Sequence, residues 1–330
     1  MNTKHTMDSI LGLARGFTQS RVLLTGAELD IFTLLAKESM TAQEVAAAKN
    51  SKLHGTTILL DALCALGFLI KKDGRYQTES SAASFLSAES PDSILPMVLY
   101  SVKLWKSWSQ ITDIILDNFT PEIKQNGTMA NDTTKALVEA MHVVNSRMAP
   151  EVVRAINPRT ARNLLDVGSG LGTYTLAFLN EVPEMKATLF DLPPVIEMAL
   201  NRVQSAGMLD RVKFFPGDFY KDELPPGNDI VLLSAIIHQN SLEQNDILYS
   251  KIYQAMDFGG RIIVRDHVMS TDKTEPLEGA MFAVNMLAST MGGGTYTFDE
   301  IKDGLVKAGF TRISLIQTKG MFSLIEGFKP

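Results

Sequence analysis

The residues of this chain best placed to do chemistry are four acids, a glycine run and one histidine, and nearly all of them close an apolar stretch. Asp166-Val167-Gly168-Ser169-Gly170-Leu171-Gly172 follows Asn163-Leu164-Leu165 and precedes Tyr174-Thr175-Leu176-Ala177-Phe178-Leu179, which has helical spacing. A strand, a glycine turn and a helix start form the junction at which an open α/β sheet receives a nucleotide-like ligand. The same glycines also suit a tight turn that binds nothing. The acid that follows favours binding. Ala187-Thr188-Leu189-Phe190 ends in Asp191, 21 residues after Gly170, where a carboxylate can accept both ribose hydroxyls of an adenosine. Val212-Lys213-Phe214-Phe215 leads to Gly217-Asp218-Phe219, a carboxylate for an adenine amine beside a ring able to cover its face. The run Asp229 to Ile237 ends at His238, at the ligand end of the sheet. An imidazole there suits a general base at neutral pH; a histidine capping a buried turn suits the same position.

The glycines separate two adenosine ligands. A dinucleotide fingerprint needs its last glycine at the position held here by Thr173. Asp166 at the strand tip would oppose a diphosphate and welcome an ammonium or sulfonium, so the spacing predicts S-adenosylmethionine rather than a nicotinamide dinucleotide. With that donor the chain must position an acceptor and, for a hydroxyl, remove its proton.

Asp166 to Gly172, Phe190-Asp191-Leu192-Pro193-Pro194-Val195-Ile196 and Gly217-Asp218-Phe219 together resemble the three cofactor motifs of the plant-type small-molecule O-methyltransferases and their bacterial relatives. That family includes the hydroxyindole and caffeate enzymes. The resemblance covers nearly the whole chain and implies cofactor contacts at Asp166, Gly168, Gly170, Asp191, Leu192, Asp218, Phe219 and Ser234. It also implies that His238 is the base and that Asp266, after Arg261-Ile262-Ile263-Val264-Arg265, orients it. An apolar acceptor pocket would be lined by Met141, Asn145, Phe282 and Met286. His142 and His267 are alternative bases, although His142 sits on the linking helix, where packing accounts for it.

Two departures from the family pattern bear on the reaction. The family histidine is usually followed by Asp-Trp, whereas His238 is followed by Gln239-Asn240. The family's Gly-Gly-x-Glu-Arg-Thr reads here Gly292-Gly293-Gly294-Thr295-Tyr296-Thr297, with Thr295 in place of the glutamate that flanks the histidine. These changes favour an activated hydroxyl, or a carbon, nitrogen or sulfur acceptor. They also allow a relative that binds the cofactor but has lost O-methylation.

The elements that carry these residues form two expected domains joined by a linking segment. An N-terminal, mostly helical winged-helix dimerisation domain covers residues 1–120, with apolar helical faces at Ala27–Leu35 and Thr56–Leu66. It also has capping-box spacing at Thr41-Ala42-Gln43-Glu44 and a hairpin, Phe68 to Gln77, around Asp73-Gly74. Residues 121–157 link the domains through a polar junction, Asn118 to Asp132, and one helix from Thr134 to Ile156. Residues 158–330 form a Rossmann-like class I methyltransferase domain, and the whole chain is α/β in class.

A winged helix also suggests a DNA-binding regulator, but the helix from Thr56 to Leu66 carries one charged residue, the acidic Asp61, where base readers carry Arg, Lys, Asn or Gln. In the resembling family the winged helix builds a dimer interface and helps close the partner's substrate pocket. A net charge of −6 gives no basic footprint for nucleic acid. No run approaches membrane-spanning length. The single cysteine, Cys64, excludes an intrachain disulfide and suits a reducing cytoplasm. No His-x-x-x-His or Cys-x-x-Cys spacing suggests a metal. The expected partners are therefore a small-molecule acceptor and a second copy of the chain, with no membrane and no nucleic acid.

Overall fold

The computed structural model describes residues 5–117, 131–319 and 321–330. It divides into two compact units, Met1–Trp105 and Lys106–Pro330. The division falls before the junction expected near residue 120, because Trp108 donates its indole N–H to Asn285 at 2.9 Å and so belongs with the second unit. Most of the expected junction, residues 118–130, lies outside the described residues.

The first unit contains α1 (Met7–Arg15), α2 (Phe17–Glu28), α3 (Ile31–Lys37), β1 (Met40–Thr41), α4 (Ala42–Ala48), α5 (Leu53–Ala65), β2 (Leu69–Lys72), β3 (Arg75–Thr78), α6 (Ser80–Leu86) and most of α7 (Leu95–Trp108). Thr41 and Glu44 cap α4 reciprocally, as their spacing predicts. Asp73 and Gly74 both take positive φ, the geometry a two-residue hairpin turn demands, and they join β2 to β3. A third strand, β1, only two residues long, adds antiparallel to β3. The apolar stretch Ala27–Leu35 is not one helix: Asp30 turns left-handed at φ 50° and separates α2 from α3. Leu35, Val45, Leu60 and Leu63 are fully buried in the core. By contrast α1 buries no residue, and Met7 and Leu13 are 74% and 83% exposed.

The second unit begins with α8 (Ile111–Ile115), α9 (Asn131–Ser146) and α10 (Ala149–Ile156). The single linking helix expected from Thr134 to Ile156 is therefore two helices. The chain turns at Arg147–Met148, and Pro150, which lacks an N–H, sits in the first turn of α10. There follow β4 (Asn163–Val167), α11 (Thr173–Glu181), β5 (Lys186–Asp191), α12 (Pro193–Ser205), β6 (Val212–Pro216), β7 (Asn228–Ser234), α13 (Leu242–Ala255) and β8 (Met256–Asp266). The chain ends with β9 (Val268–Met269), α14 (Leu277–Ser289), β10 (Tyr296–Thr297), α15 (Phe298–Ala308), β11 (Thr311–Lys319) and β12 (Phe322–Phe328).

Seven strands form one sheet in the order β11-β12-β8-β7-β4-β5-β6. β4 to β8 run parallel, whereas β12 and β11 add antiparallel at one edge. Strands covered on both faces read as unbroken apolar runs: Ile230, Val231, Leu232 and Leu233 are all buried. From β4 the order proceeds through β5 to β6, then returns to β7 on the other side of β4. The β4–β7 boundary is thus the topological switch point, where loops at the carboxyl ends open a crevice. The glycine turn leaves β4 there, and the His238 loop leaves β7.

Candidate active site

The glycine turn is fixed by backbone bonds to the neighbouring strand, with the Gly168 N–H donating to Phe190 O at 2.9 Å. Gly168 lies under the Ile236 side chain, whereas the space where a Cβ would sit on Gly170 is open. Gly170 takes φ 54°, and its N–H donates to Asp191 Oδ2 at 2.8 Å. The Leu192 N–H, at the entry of α12, donates to Asp191 Oδ1 at 2.7 Å. Burial raises the Asp191 carboxyl to about 6 in spite of these two donors.

Asp166, on β4, is buried and accepts the Thr175 hydroxyl at 2.7 Å. Among the described residues no cation pairs with it, and burial, reinforced by the charge of Asp191, pushes its carboxyl up to about 7. At the next loop the Asp218 carboxylate accepts the Tyr220 N–H at 3.0 Å and pairs with Lys221, while the Phe219 ring lies 4.6 Å from that of Tyr220.

The strand expected to run to Ile237 stops at Ser234. Ala235 takes φ 58°, and Ile237–Gln239 form a single 3₁₀ turn that carries His238. The His238 Nδ1 lies 2.8 Å and 3.0 Å from the two oxygens of Asp266. Asp266 is 1% exposed and also accepts the His267 N–H at 2.8 Å. Burial alone would raise the Asp266 carboxyl; the charge and hydrogen bond of His238 outweigh it, and its pKa lies below the usual carboxylate value. An ionised Asp266 accepting from Nδ1–H leaves the Nε2 lone pair available to accept a proton, the arrangement of a carboxylate-oriented imidazole.

Phe282 meets His238 edge-on, with ring centroids 4.8 Å apart, and stacks on His267 at 4.2 Å. Met286 is buried one turn further along α14. On α9, Asn145 accepts the Tyr174 hydroxyl at 3.0 Å and donates to the Met141 carbonyl. His142 faces Thr173 at 2.8 Å, and burial lowers its pKa to about 4, in keeping with the packing role expected for it. His267 is buried among Phe282 and Phe322, and burial likewise lowers its pKa to about 4.

The departures from the family pattern have structural work in this chain. Asn240 is fully buried: its amide donates to Asn245 at 2.9 Å, its side-chain oxygen accepts the Tyr220 hydroxyl, and its backbone carbonyl accepts the Tyr296 hydroxyl. Asn245 in turn donates to Ile237 O at 3.0 Å. Gly294 N–H donates to His238 O at 2.8 Å. A Cβ on Gly293 would run into the His238 and Gln239 backbone. The triple glycine thus lets one loop press directly on the loop that carries His238. The sequence marks Asn240, Gly293 and Tyr296 as departures but not as partners, because residues 56 apart, as Tyr296 and Asn240 are, leave no local pattern. Among the described residues no cluster of three or more His, Cys, Asp or Glu side chains is disposed to hold a metal ion.

Residues 121–311 match the O-methyltransferase domain model, and residues 11–88 match the O-methyltransferase dimerisation domain model. The 3-hydroxy-5-methyl-1-naphthoate 3-O-methyltransferase of Streptomyces sahachiroi is 28% identical, over 96% of this chain and 94% of its own. Human N-acetylserotonin methyltransferase, solved in complex with S-adenosylmethionine, superposes with a TM-score of 0.84 at 25% identity, over 100% of this chain and 99% of its own. PigF, named in Serratia as an S-adenosyl-L-methionine-dependent methyl transferase and solved with S-adenosylhomocysteine, gives 0.90 at 25% identity, over 98% and 100%.

Proposed function

The chain belongs to the O-methyltransferase family and is an S-adenosylmethionine-dependent O-methyltransferase, and from that premise we propose that His238 deprotonates a hydroxyl of a small aromatic acceptor. The His238–Asp266 pair at 2.8 Å carries this reading. When bound, the cofactor supplies a methyl group on a sulfonium that serves as its own leaving group. The residues present fit it: open space over Gly170, the Asp191 carboxylate for the ribose, Asp218 and Phe219 for the adenine, and a buried anion, Asp166, for the cationic amino-acid end.

His238 accepts the acceptor's proton on Nε2, and Asp266 holds the ring in the required tautomer and stabilises the imidazolium. Thr295 provides no second carboxylate, so the base is modest and best matched to phenols, whose protons leave more readily than those of alcohols. Phe282 and Met286 offer the flat, polarisable surface an aromatic ring packs against. The intact pair supports retained O-methylation over transfer to carbon, nitrogen or sulfur. The relative that acts on a hydroxynaphthoate supports an aromatic acceptor.

The N-terminal unit serves dimerisation in this reading, with a winged-helix arrangement. The dimerisation match and the exposed apolar side chains of α1 support it. DNA binding is disfavoured because Lys71 is held by Asp61 and Arg75 by Glu44. Among the described residues no helix is long and apolar enough to cross a membrane. We place the protein in the cytoplasm, where its one thiol, Cys64, would stay reduced.

The test is formation of S-adenosylhomocysteine from S-adenosylmethionine across a panel of phenols, in wild type and His238→Ala. Turnover should fall about 10²- to 10⁴-fold in the variant. A variant that turns over at the wild-type rate would remove His238 from the mechanism.

A further inference from the structure

β8 contains a residue that neither the fold nor the methyl-transfer chemistry described so far explains. Arg265 follows Ile262-Ile263-Val264 in a strand covered on both faces and is 2% exposed. A guanidinium carries five N–H donors. Among the described residues this one makes a single hydrogen bond, to Ser234 Oγ at 3.3 Å, and forms no ion pair with a carboxylate. Lys329, also buried, differs: its ammonium donates to the carbonyls of Tyr253 and Met256. The faces of the Arg265 guanidinium are covered by Phe322 at 4.0 Å and Tyr174 at 5.0 Å. Rings attract a cation to their faces but give nothing to its N–H edges. Burying an ion costs several kcal/mol unless its hydrogen-bonding groups are met.

The register shows what could meet them. Asp166 pairs with Leu232 and Leu232 with Ile263, while Ser234 pairs with Arg265. Alternation along a strand puts Asp166, Ser234 and Arg265 on one face of the sheet, the face on which α11 lies. Neighbouring residues of α11 touch both charges, Thr175 at Asp166 and Tyr174 at Arg265. Among the described residues, one sheet face at the switch point therefore holds a buried carboxyl without a cation and a buried guanidinium without an ion-paired carboxylate, Asp266 acting on it only through its charge from the next position in the strand. They lie two strands apart and two residues out of step, a backbone separation of about 12 Å, which an amino-acid group hydrogen-bonded at both ends can bridge with the help of the long arginine side chain.

We propose that Arg265, steered by Ser234 and clamped between Tyr174 and Phe322, binds a ligand carboxylate, that of the amino-acid end of the cofactor, while Asp166 takes the neighbouring ammonium. The proposal rests on the methyl-donor reading above. It assigns to β8 a contact that the glycine motif cannot make, since that motif offers backbone and an acid but no cation.

Calorimetric titration and thermal melts of wild type, Arg265→Gln and Arg265→Lys test it with two probes, S-adenosylhomocysteine and 5′-methylthioadenosine, which lacks the amino-acid group. Arg265→Gln should lose about 10- to 100-fold in affinity for S-adenosylhomocysteine and nothing for methylthioadenosine, with Arg265→Lys in between. Its unliganded melting temperature should stay level or rise, because an unmatched buried charge has been removed. A collapse of that temperature would mark Arg265 as structural and overturn the proposal, as would unchanged affinity for every probe. Titration of 3-hydroxy-2-naphthoate and its methyl ester into the S-adenosylhomocysteine complex separates the two carboxylate sources. A loss confined to the free acid would keep Arg265 as a carboxylate binder and overturn the cofactor assignment. Wild-type protein that binds neither adenosine probe would instead defeat the methyl-donor reading itself.

Discussion

The two halves of the site are built on different principles. The half proposed for the cofactor, from β4 to the loop after β6, is made of short local segments. A glycine turn, an acid at the end of the next strand and an Asp-Phe pair at the end of the third each sit where their own strand stops. The half around His238 is assembled from distant pieces. Asp266 lies 28 residues from its histidine, Gly294 and Tyr296 hold the histidine's loop from another segment, and Phe282 and Phe322 arrive on α14 and β12. A half positioned by backbone should fail by losing ligand; a half positioned by side-chain contacts should fail by losing rate.

The sharpest break should come at Asp266. In Asp266→Asn the amide can donate to Nδ1 and favour the tautomer whose Nε2 carries the proton. Turnover should then drop about 10²-fold or more while S-adenosylhomocysteine binds as before by calorimetry. Parallel loss of affinity would show that the two halves are not separable. Asp191→Ala is the converse. It removes an acceptor held by two backbone N–H groups, so affinity should fall about 10- to 100-fold, with turnover at saturating cofactor far less affected.

Two glycines refine the contrast. Gly170→Ala meets open space but must hold φ 54°, a strain of about 1–2 kcal/mol, and should raise the cofactor KM several-fold. Gly293→Ala meets the backbone of the His238 loop, an overpacking cost of about 1–3 kcal/mol, and should lower kcat with the cofactor KM unchanged. Steady-state kinetics on both variants checks this; an exchange of the two phenotypes would refute the division of labour.

The same division explains what was legible in the sequence. Asp166, Gly170, Asp191 and the hairpin around Asp73-Gly74 announce themselves because one strand end or one turn fixes each of them. Boundaries that depend on backbone reversal did not. Asp30 and Ala235, neither a glycine, take positive φ and end α2's apolar face and the His238 strand early. The edge strands β11 and β12, which pair antiparallel beside five parallel strands, escaped notice because edge pairing is long-range. Arg265 left the most usable trace, a charge directly after three buried β-branched residues, and its meaning depends on the partner it lacks.

The gentlest test concerns Asp166, the backbone half's own carboxyl without a cation. Its carboxyl is raised from 3.8 to about 7 by burial, so the folded chain keeps a proton that the unfolded chain releases. The stability this contributes is full below about pH 4 and is lost as pH rises through 7. His142 and His267, lowered to about 4, act oppositely: their contribution is present above about pH 6.5 and is lost as pH falls through 4. Asp166→Asn should therefore melt above wild type at pH 8 and show little difference at pH 4. A cation bound beside Asp166 favours its ionised form, and ribose hydroxyls do the same for Asp191, raised to about 6. Binding of S-adenosylhomocysteine should accordingly release protons, about one or more at pH 6, about half of one at pH 7 and almost none at pH 8.5. Titration in buffers of different protonation enthalpy reads that number directly. Asp166→Asn should remove the larger share and leave the part due to Asp191, so undiminished proton release in that variant would place the cofactor's ammonium elsewhere.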